Sequence, residues 1–273
     1  MSALTRAALI DVYDTILSSK FVPRMATLVE PLGIAIGDWL VEWDKLREDR
    51  DRGKVTVAGS FARTLTALGR EPEPGLLADL LRRNEEITRT DTLLFDDTVP
   101  FLRWLRSNGV LTSLVSNCAD TTRAQLAYLG IIPLVDAVVL SCEVGSMKPY
   151  PEIYATALEE LGVAAVDAVF IDDQPAFCVG AEAMGIHPIQ IARHEVNGYD
   201  SRWNFPVVHS LFDVQSLLAV SRDTQPGTLP FETLRVHVRE PGEGETGWRR
   251  VARAGVARCL SPRPPTLTRS CCG

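Results

Sequence analysis

Four short stretches of the 273-residue sequence carry side chains that could attack and hold an anionic group. Asp11 lies in LIDVYDT, Ser116 and Asn117 in SLVSNCAD, Lys148 in GSMKPYPEIY, and Asp172 with Asp173 in VFIDDQP. A carboxylate can serve as a covalent nucleophile, while a hydroxyl and an ammonium can hold the negative charge that develops during attack. Two adjacent carboxylates are hard oxygen donors suited to Mg²⁺, which would complete a site for phosphoryl chemistry. Taken singly, each stretch also has a plain structural reading. An Asp after a strand is a turn residue, Ser-Asn before a helix is a cap, an Asp pair caps the next helix, and a lysine beside prolines is solvated. Their order and placement along the chain favour the chemical reading.

The elements that must position these residues follow from the apolar pattern. Short, β-branched runs over 7–10, 110–115, 137–140, 168–171 and 188–191 read as strands. Stretches over 99–107, 121–129, 152–161 and 176–184 read as helices, with Phe177, Ala181 and Met184 as the inward face of the last. This alternation predicts an α/β fold, a doubly wound parallel sheet with right-handed crossovers. Ligands bind beyond the carboxyl ends of such strands, where Asp11, Ser116, Asn117, Asp172 and Asp173 all fall.

The alternation is interrupted between Ser18 and Leu93. Trp39, Trp43 and Leu46 recur at i, i+4 and i+7, and Leu76, Leu77, Leu80 and Leu81 make a second stripe, so a helical insertion is expected there. Stripes of this kind are core rather than a cofactor box. The chain therefore divides into an α/β core over 1–17 and 93–221, a helical insertion over 18–92 and an extension over 222–273. In the extension nine arginines outnumber five acidic residues and Pro and Gly are frequent, a composition that points to disorder or a loosely attached segment.

A formal net charge of -7 weighs against a nucleic-acid or anionic-membrane surface. No apolar run approaches a membrane span, and the N-terminal run is broken by Asp11. The six cysteines show neither a CxxC pair nor regular spacing, which predicts reduced thiols instead of disulfides or a zinc site. The expected address is the cytoplasm, and the expected partner is a small molecule.

With these motifs in order, residues 7–192 resemble the haloacid dehalogenase-like hydrolases. LIDVYDT is similar to that family's first motif, VSN to its second, KPYPEIY to its third and FIDDQPAFCVGAEAMG to its fourth. The resemblance makes the 18–92 insertion a helical cap that closes over the site and selects the substrate. It implies that Asp11 is the nucleophile and a metal ligand, with the Tyr13 backbone carbonyl and Asp172 and Asp173 completing a Mg²⁺ site. Ser116 would bind the transferred group, Lys148 would hold its charge, and Asn117 would assist in binding substrate. Arg47, Arg50 and Lys54 are cap cations that could face the site, although a solvated helix face is the expectation for them.

Two positions depart from the family pattern. Phosphatases of this family usually carry a second Asp two residues after the nucleophile as acid and base, where this sequence has Tyr13. In extended backbone Tyr13, and not Asp14, would project beside Asp11. Tyr13 is similar to the Asp-x-Tyr motif of the metal-independent 2-haloacid dehalogenases, yet the Asp172-Asp173 pair is of the metal-binding kind. Phe177 stands where relatives often have a polar supporting residue. Adjacent carboxylates near Asp11 would repel each other and a carboxylate substrate without a cation, which favours Mg²⁺-dependent hydrolysis of a small phosphorylated metabolite through an aspartyl-phosphate. Dehalogenation at carbon is the alternative, and a non-catalytic ligand- or partner-binding relative is a third reading. Without an efficient acid at Tyr13, leaving groups of low pKa such as acyl or aryl phosphates are the expected substrates.

Overall fold

The structure is a computed structural model that describes residues 5–18, 20–193 and 205–223. Most of the extension expected to be disordered, from residue 224 onward, lies outside the described residues.

The first strand, β1 (Ala7–Ile10), is apolar on both faces and fully buried, as a central strand of a parallel sheet covered on both sides must be. A short strand β2 (Leu17–Ser18) follows and leads into five helices, α1 (Phe21–Val29), α2 (Ile36–Asp44), α3 (Arg47–Asp51), α4 (Val57–Ala67) and α5 (Pro74–Asp91). The chain returns through β3 (Leu93–Leu94), which pairs antiparallel with β2. Then come α6 (Thr98–Ser107), β4 (Leu111–Ser116), α7 (Thr122–Tyr128), β5 (Ala137–Leu140), α8 (Ser141–Val144) and α9 (Pro151–Leu161). The described chain ends with β6 (Ala168–Asp172), α10 (Pro175–Ala183), β7 (His187–Ile191), β8 (Val207–Val208) and α11 (Leu211–Asp223).

Six strands form one parallel sheet in the order β5-β4-β1-β6-β7-β8, as the sequence pattern predicts. All five expected strands form within one residue of their predicted ends. The sixth, β8, is two residues long and carries no periodicity from which it could be read. Alternation assigns the faces: Ala8 and Ile10 enter the apolar cluster with Phe101, Leu102 and Leu105 of α6, whereas Ala7 and Leu9 enter the one with Tyr154 and Ala157 of α9 and Cys178 of α10.

The helices between β2 and β3 have an apolar cluster of their own, built on Met25, Leu28, Trp39, Trp43, Phe61, Leu65 and Leu80. Trp39 and Trp43 stack at 6.1 Å between ring centroids, one turn apart on α2. Leu46 falls past the end of α2 and is only partly buried, so the stripe expected to include it stops at Trp43. Backbone of this insert meets the sheet side at Gly53, where a Cβ would stand 2.0 Å from the Cys142 carbonyl oxygen. Gly53 has φ of 70° as well, so both its conformation and its contact exclude a side chain. Among the described residues, no helix is long and apolar enough to cross a membrane.

Candidate active site

Register brings the predicted residues to one edge. Ile10 pairs with Leu114 on one side and Ile171 on the other, and the Asp11 amide donates to the Ile171 carbonyl at 2.9 Å. Asp11, Ser116 and Asp172 therefore sit at adjacent strand ends, and all three are buried. By alternation Asp11 belongs to the face that carries Leu9, which is the α9 and α10 face. Lys148, three residues before α9, reaches the same place.

The Lys148 ammonium stands between two carboxylates, donating to Asp11 Oδ1 at 2.5 Å and to Asp172 Oδ2 at 2.6 Å. Its side chain is 1% exposed. Burial pulls the lysine pKa down, but Asp11 and Asp172 outweigh burial and hold it above the ordinary lysine range. Below the ammonium lie the rings of Phe177 and Phe170, at 5.0 and 5.5 Å from Nζ to the centroids. Phe177, a departure from the family pattern, thus faces the cation instead of supporting a metal ligand.

Asn117 grips the backbone that carries this lysine. Its Nδ2 donates to the Lys148 carbonyl at 2.9 Å and its Oδ1 accepts from the Lys148 amide at 2.7 Å. Gly180 of α10 closes the other side, since a Cβ there would fall 2.8 Å from Pro149 Cβ and 2.9 Å from its carbonyl oxygen. The Ser116 hydroxyl is buried and, among the described residues, has no hydrogen-bond partner. A buried polar group in that condition is expensive unless something pairs with it, and a bound anion would do so.

Asp173 completes the acidic group. One oxygen from each of Asp11, Asp172 and Asp173 lies within 4.8 Å of the others. Asp172 Oδ1 also accepts from the Gln174 amide at 2.7 Å at the start of α10, and Asp173 Oδ2 from Gln174 Nε2 at 2.5 Å. Burial pushes the Asp173 carboxyl up, reinforced by the charges of Asp172 and Asp11. Asp172 is pushed up by burial too, against the pull of Lys148. Were all three carboxyls ionised, one ammonium would leave two negative charges uncompensated, and Asp172 and Asp173 accordingly hold their protons more tightly than ordinary carboxyls. The set is hard, oxygen-rich and short of one divalent cation, so these residues fit a metal such as Mg²⁺.

Tyr13 does not stand beside Asp11 as extended backbone would require. The strand ends before it, Asp14 adopts a left-handed φ of 58°, and Tyr13 packs against the α6-side cluster. Its hydroxyl donates to Gln125 Oε1 at 2.8 Å and lies 2.9 Å from Thr122 Oγ1. Gln125 Nε2 in turn donates to Thr92 Oγ1 at 2.8 Å. Burial holds the Tyr13 hydroxyl well above the usual phenol range.

The insert cations divide. Arg47 and Lys54 are exposed and paired with Asp44 and Asp49, the expected solvated face. Arg50 is buried instead, with its guanidinium 4.0 Å from the Trp43 ring centroid and Nη1 on the Trp43 carbonyl. The planar cation stacks on an indole, a pairing that a charge count along the sequence does not reveal. The Asn117 clamp, the rings under Lys148 and the Thr122, Gln125 and Thr92 partners of Tyr13 were equally invisible, because each pairs residues far apart in sequence.

Comparison with known proteins bears on the family and the fold. The family model described as haloacid dehalogenase-like hydrolase matches residues 5–185. Glyceraldehyde 3-phosphate phosphatase of Methanopyrus kandleri is 30% identical over 144 residues, covering 52% of this chain and 62% of that enzyme. The (S)-2-haloacid dehalogenase of Xanthobacter autotrophicus is 28% identical over 136 residues, 49% of this chain and 51% of its own length. The chain thus spans between half and two thirds of these two relatives. The crystal structure of a HAD phosphatase from Thermococcus onnurineus superposes with a TM-score of 0.60 at 25% identity, covering 78% of this chain and 97% of that one.

Proposed function

The chain belongs to the haloacid dehalogenase-like hydrolases, and from that premise we propose that it is a Mg²⁺-dependent phosphohydrolase acting on a small phosphorylated metabolite. The observation that carries this reading is the excess of carboxylate over ammonium at the sheet edge. Such a site holds a cation and then an anion far better than it holds a carboxylate substrate alone.

In this reading a carboxylate oxygen of Asp11 attacks phosphorus in line, the P–O bond to the leaving group breaks, and the leaving oxygen takes the bonding pair. Water then attacks the phosphorus of the aspartyl-phosphate, releasing phosphate and restoring the Asp11 carboxylate. Ser116 donates its hydroxyl to a phosphoryl oxygen, which pairs the buried hydroxyl. Lys148 turns one of its donors to the phosphoryl group while Asp172 holds the ammonium in place. Asn117 fixes the lysine backbone in this role and does so in place of touching substrate. Mg²⁺ held by Asp11, Asp172, Asp173 and the Tyr13 carbonyl would neutralise charge on the phosphoryl oxygens. The helices between β2 and β3 act as the cap, and the free Cys118, Cys142 and Cys178 accord with a cytoplasmic setting.

Phosphate release from an aryl phosphate by the purified protein, with and without Mg²⁺, tests the reading. Turnover that requires the metal and disappears in Asp11→Asn is expected, the loss being on the order of 10⁴-fold or more. Turnover that survives either change overturns it. With its hydroxyl committed to Gln125 and Thr122 and its pKa raised, Tyr13 is a poor acid for the leaving oxygen. Tyr13→Asp should therefore raise activity on a sugar phosphate by about 10²-fold while changing an aryl phosphate little. Equal gains on both would remove this explanation. Tyr13 also favours dehalogenation at carbon as the second reading, and chloride release from a 2-haloacid without Mg²⁺ would establish it.

A further inference from the structure

Two thiols meet just beyond the sheet edge. Ser116 of β4 pairs in register with Leu140 of β5, and each chain carries a cysteine two residues farther on, Cys118 and Cys142. Neighbouring strands lie about 4.8 Å apart, within the span of about 4.4–6.8 Å between Cα atoms that a disulfide bridges. The Cys118 amide donates to Ser141 Oγ at 2.9 Å, and both cysteines belong to the α6-side apolar cluster. The Cys118 thiol is buried and donates a hydrogen bond to the sulfur of Cys142, which is partly exposed. That bond draws the Cys142 thiol below the ordinary thiol range, against burial and the charges of Glu143 and Asp120, and together with burial it holds Cys118 well above that range. Cys178 is buried as well, but its thiol donates to the Asp172 carbonyl at 3.9 Å instead.

The pair is bounded by backbone on which the site depends. Cys118 follows Asn117, whose side chain holds the Lys148 backbone, and stands two residues after Ser116. On the other side the Cys142 carbonyl lies so close to Gly53 of the insert that no Cβ fits between them. Bonded sulfurs stand about 2.05 Å apart, much closer than hydrogen-bonded ones. Bridging the two thiols therefore moves backbone. With Cys142 held against the insert, the movement falls on Cys118 and on Asn117 before it.

We propose that Cys118 and Cys142 form a redox-modification site, at which a small-molecule disulfide oxidises the two thiols to a disulfide that pulls Asn117 from Lys148 and reversibly slows the enzyme. The Cys142 thiol releases its proton to solvent, and the thiolate attacks one sulfur of the small disulfide. That S–S bond breaks, and its other half leaves as a thiolate with the bonding pair. Cys118 gives its proton to the departed thiolate, and its sulfur attacks the Cys142 sulfur and displaces the second half, which takes a proton back from solvent. Two protein thiols are oxidised and one small disulfide is reduced to two thiols. A partly exposed thiol that attacks, beside a buried one that resolves, suits a reversible sensor rather than a structural cross-link. Formation of the bond is independent of the phosphohydrolase reading; only the choice of turnover assay rests on it.

The test treats the reduced full chain with glutathione disulfide, maps its cysteines by alkylation, digestion and mass, and follows turnover of an aryl phosphate in Mg²⁺. A cross-linked peptide joining Cys118 to Cys142 is expected, with kcat lowered by about 10- to 100-fold, as displacement of an orienting group by about 1 Å gives, and restored by dithiothreitol. Cys142→Ser should keep the turnover of the reduced protein and lose the response, while Cys118→Ala should stop at the mixed disulfide on Cys142. Because Cys142 is partly exposed, its variant carries the test even where replacement of the buried Cys118 prevents folding. Absence of a cross-link between these two residues, or a response that survives in Cys142→Ser, would overturn the proposal. A cross-link that leaves kcat unchanged sinks the link to Asn117. A cross-link in a protein whose reduced form hydrolyses no aryl phosphate sinks the phosphohydrolase reaction alone, and halide release from a 2-haloacid then reads the effect of the bond.

Discussion

The sheet edge and the inserted helices use the same charged residues to different ends. At the edge one lysine stands between two carboxylates with almost no exposure to water. On the insert surface Lys45 pairs with Glu42, Arg82 with Asp79 and Glu86, and Arg89 with Glu85, at three- and four-residue spacings, with basic side chains half exposed or more. The distances are similar and only the surroundings differ. Water screens the helix pairs so that each contributes little, whereas a buried ion stripped of its partner keeps its full desolvation cost. Position in the fold, more than the pair itself, decides which charges are available for chemistry.

Removing the lysine from each region should expose this difference most sharply. Lys148→Met leaves Asp11 and Asp172 buried without their shared cation and should destabilise the protein by about 3–5 kcal/mol near neutral pH. Lys45→Met should change stability by less than about 1 kcal/mol. Urea denaturation of the two variants is the measurement, and similar losses would show that burial does not separate the regions.

Loosening the edge without touching its charges is the next test. Asn117→Ala removes both hydrogen bonds to the Lys148 backbone and should lower kcat by about 10- to 100-fold with little change in KM, as loss of an orienting group does. A rise in KM with kcat preserved would instead make Asn117 a substrate contact.

The smallest effect belongs to a carboxylate on the insert side. Burial pushes the Asp51 carboxyl up to about 6, with Arg50 and Arg47 pulling against it. A pKa raised on folding means that the native state holds the proton more tightly, so stability is lost as pH climbs from about 4 to about 6. Asp51→Asn should therefore stabilise the protein by about 1 kcal/mol at pH 7.5 and hardly at all at pH 4, read from melting curves. A stabilisation independent of pH would mean that the carboxylate is not desolvated.

How far the sequence could be read depended on range. The main strands and the helices between them were legible because a buried parallel strand is apolar throughout and a helix repeats every three to four residues. The two-residue strands β2, β3 and β8 and the short helix α8 were not, since they span too few residues to show a period. Tyr13 shows the limit of extending a local rule. Alternation holds through Val12, which joins the Ile10 face, and fails at Tyr13, which packs on that same face with its hydroxyl on Thr122 and Gln125.

What the sequence determined by itself was which side chains could do chemistry and that strand order would gather them: Asp11, Ser116 and the Asp172-Asp173 pair each stand at the end of a strand, and parallel strands end on one edge. The tertiary structure decided what those groups meet. It set Lys148 between Asp11 and Asp172, gave its backbone to Asn117, turned Tyr13 away, and left the Ser116 hydroxyl unpaired among the described residues. The reason is physical: an apolar period is a local property of the chain, whereas desolvation and charge balance depend on neighbours that folding brings from dozens to more than a hundred residues away.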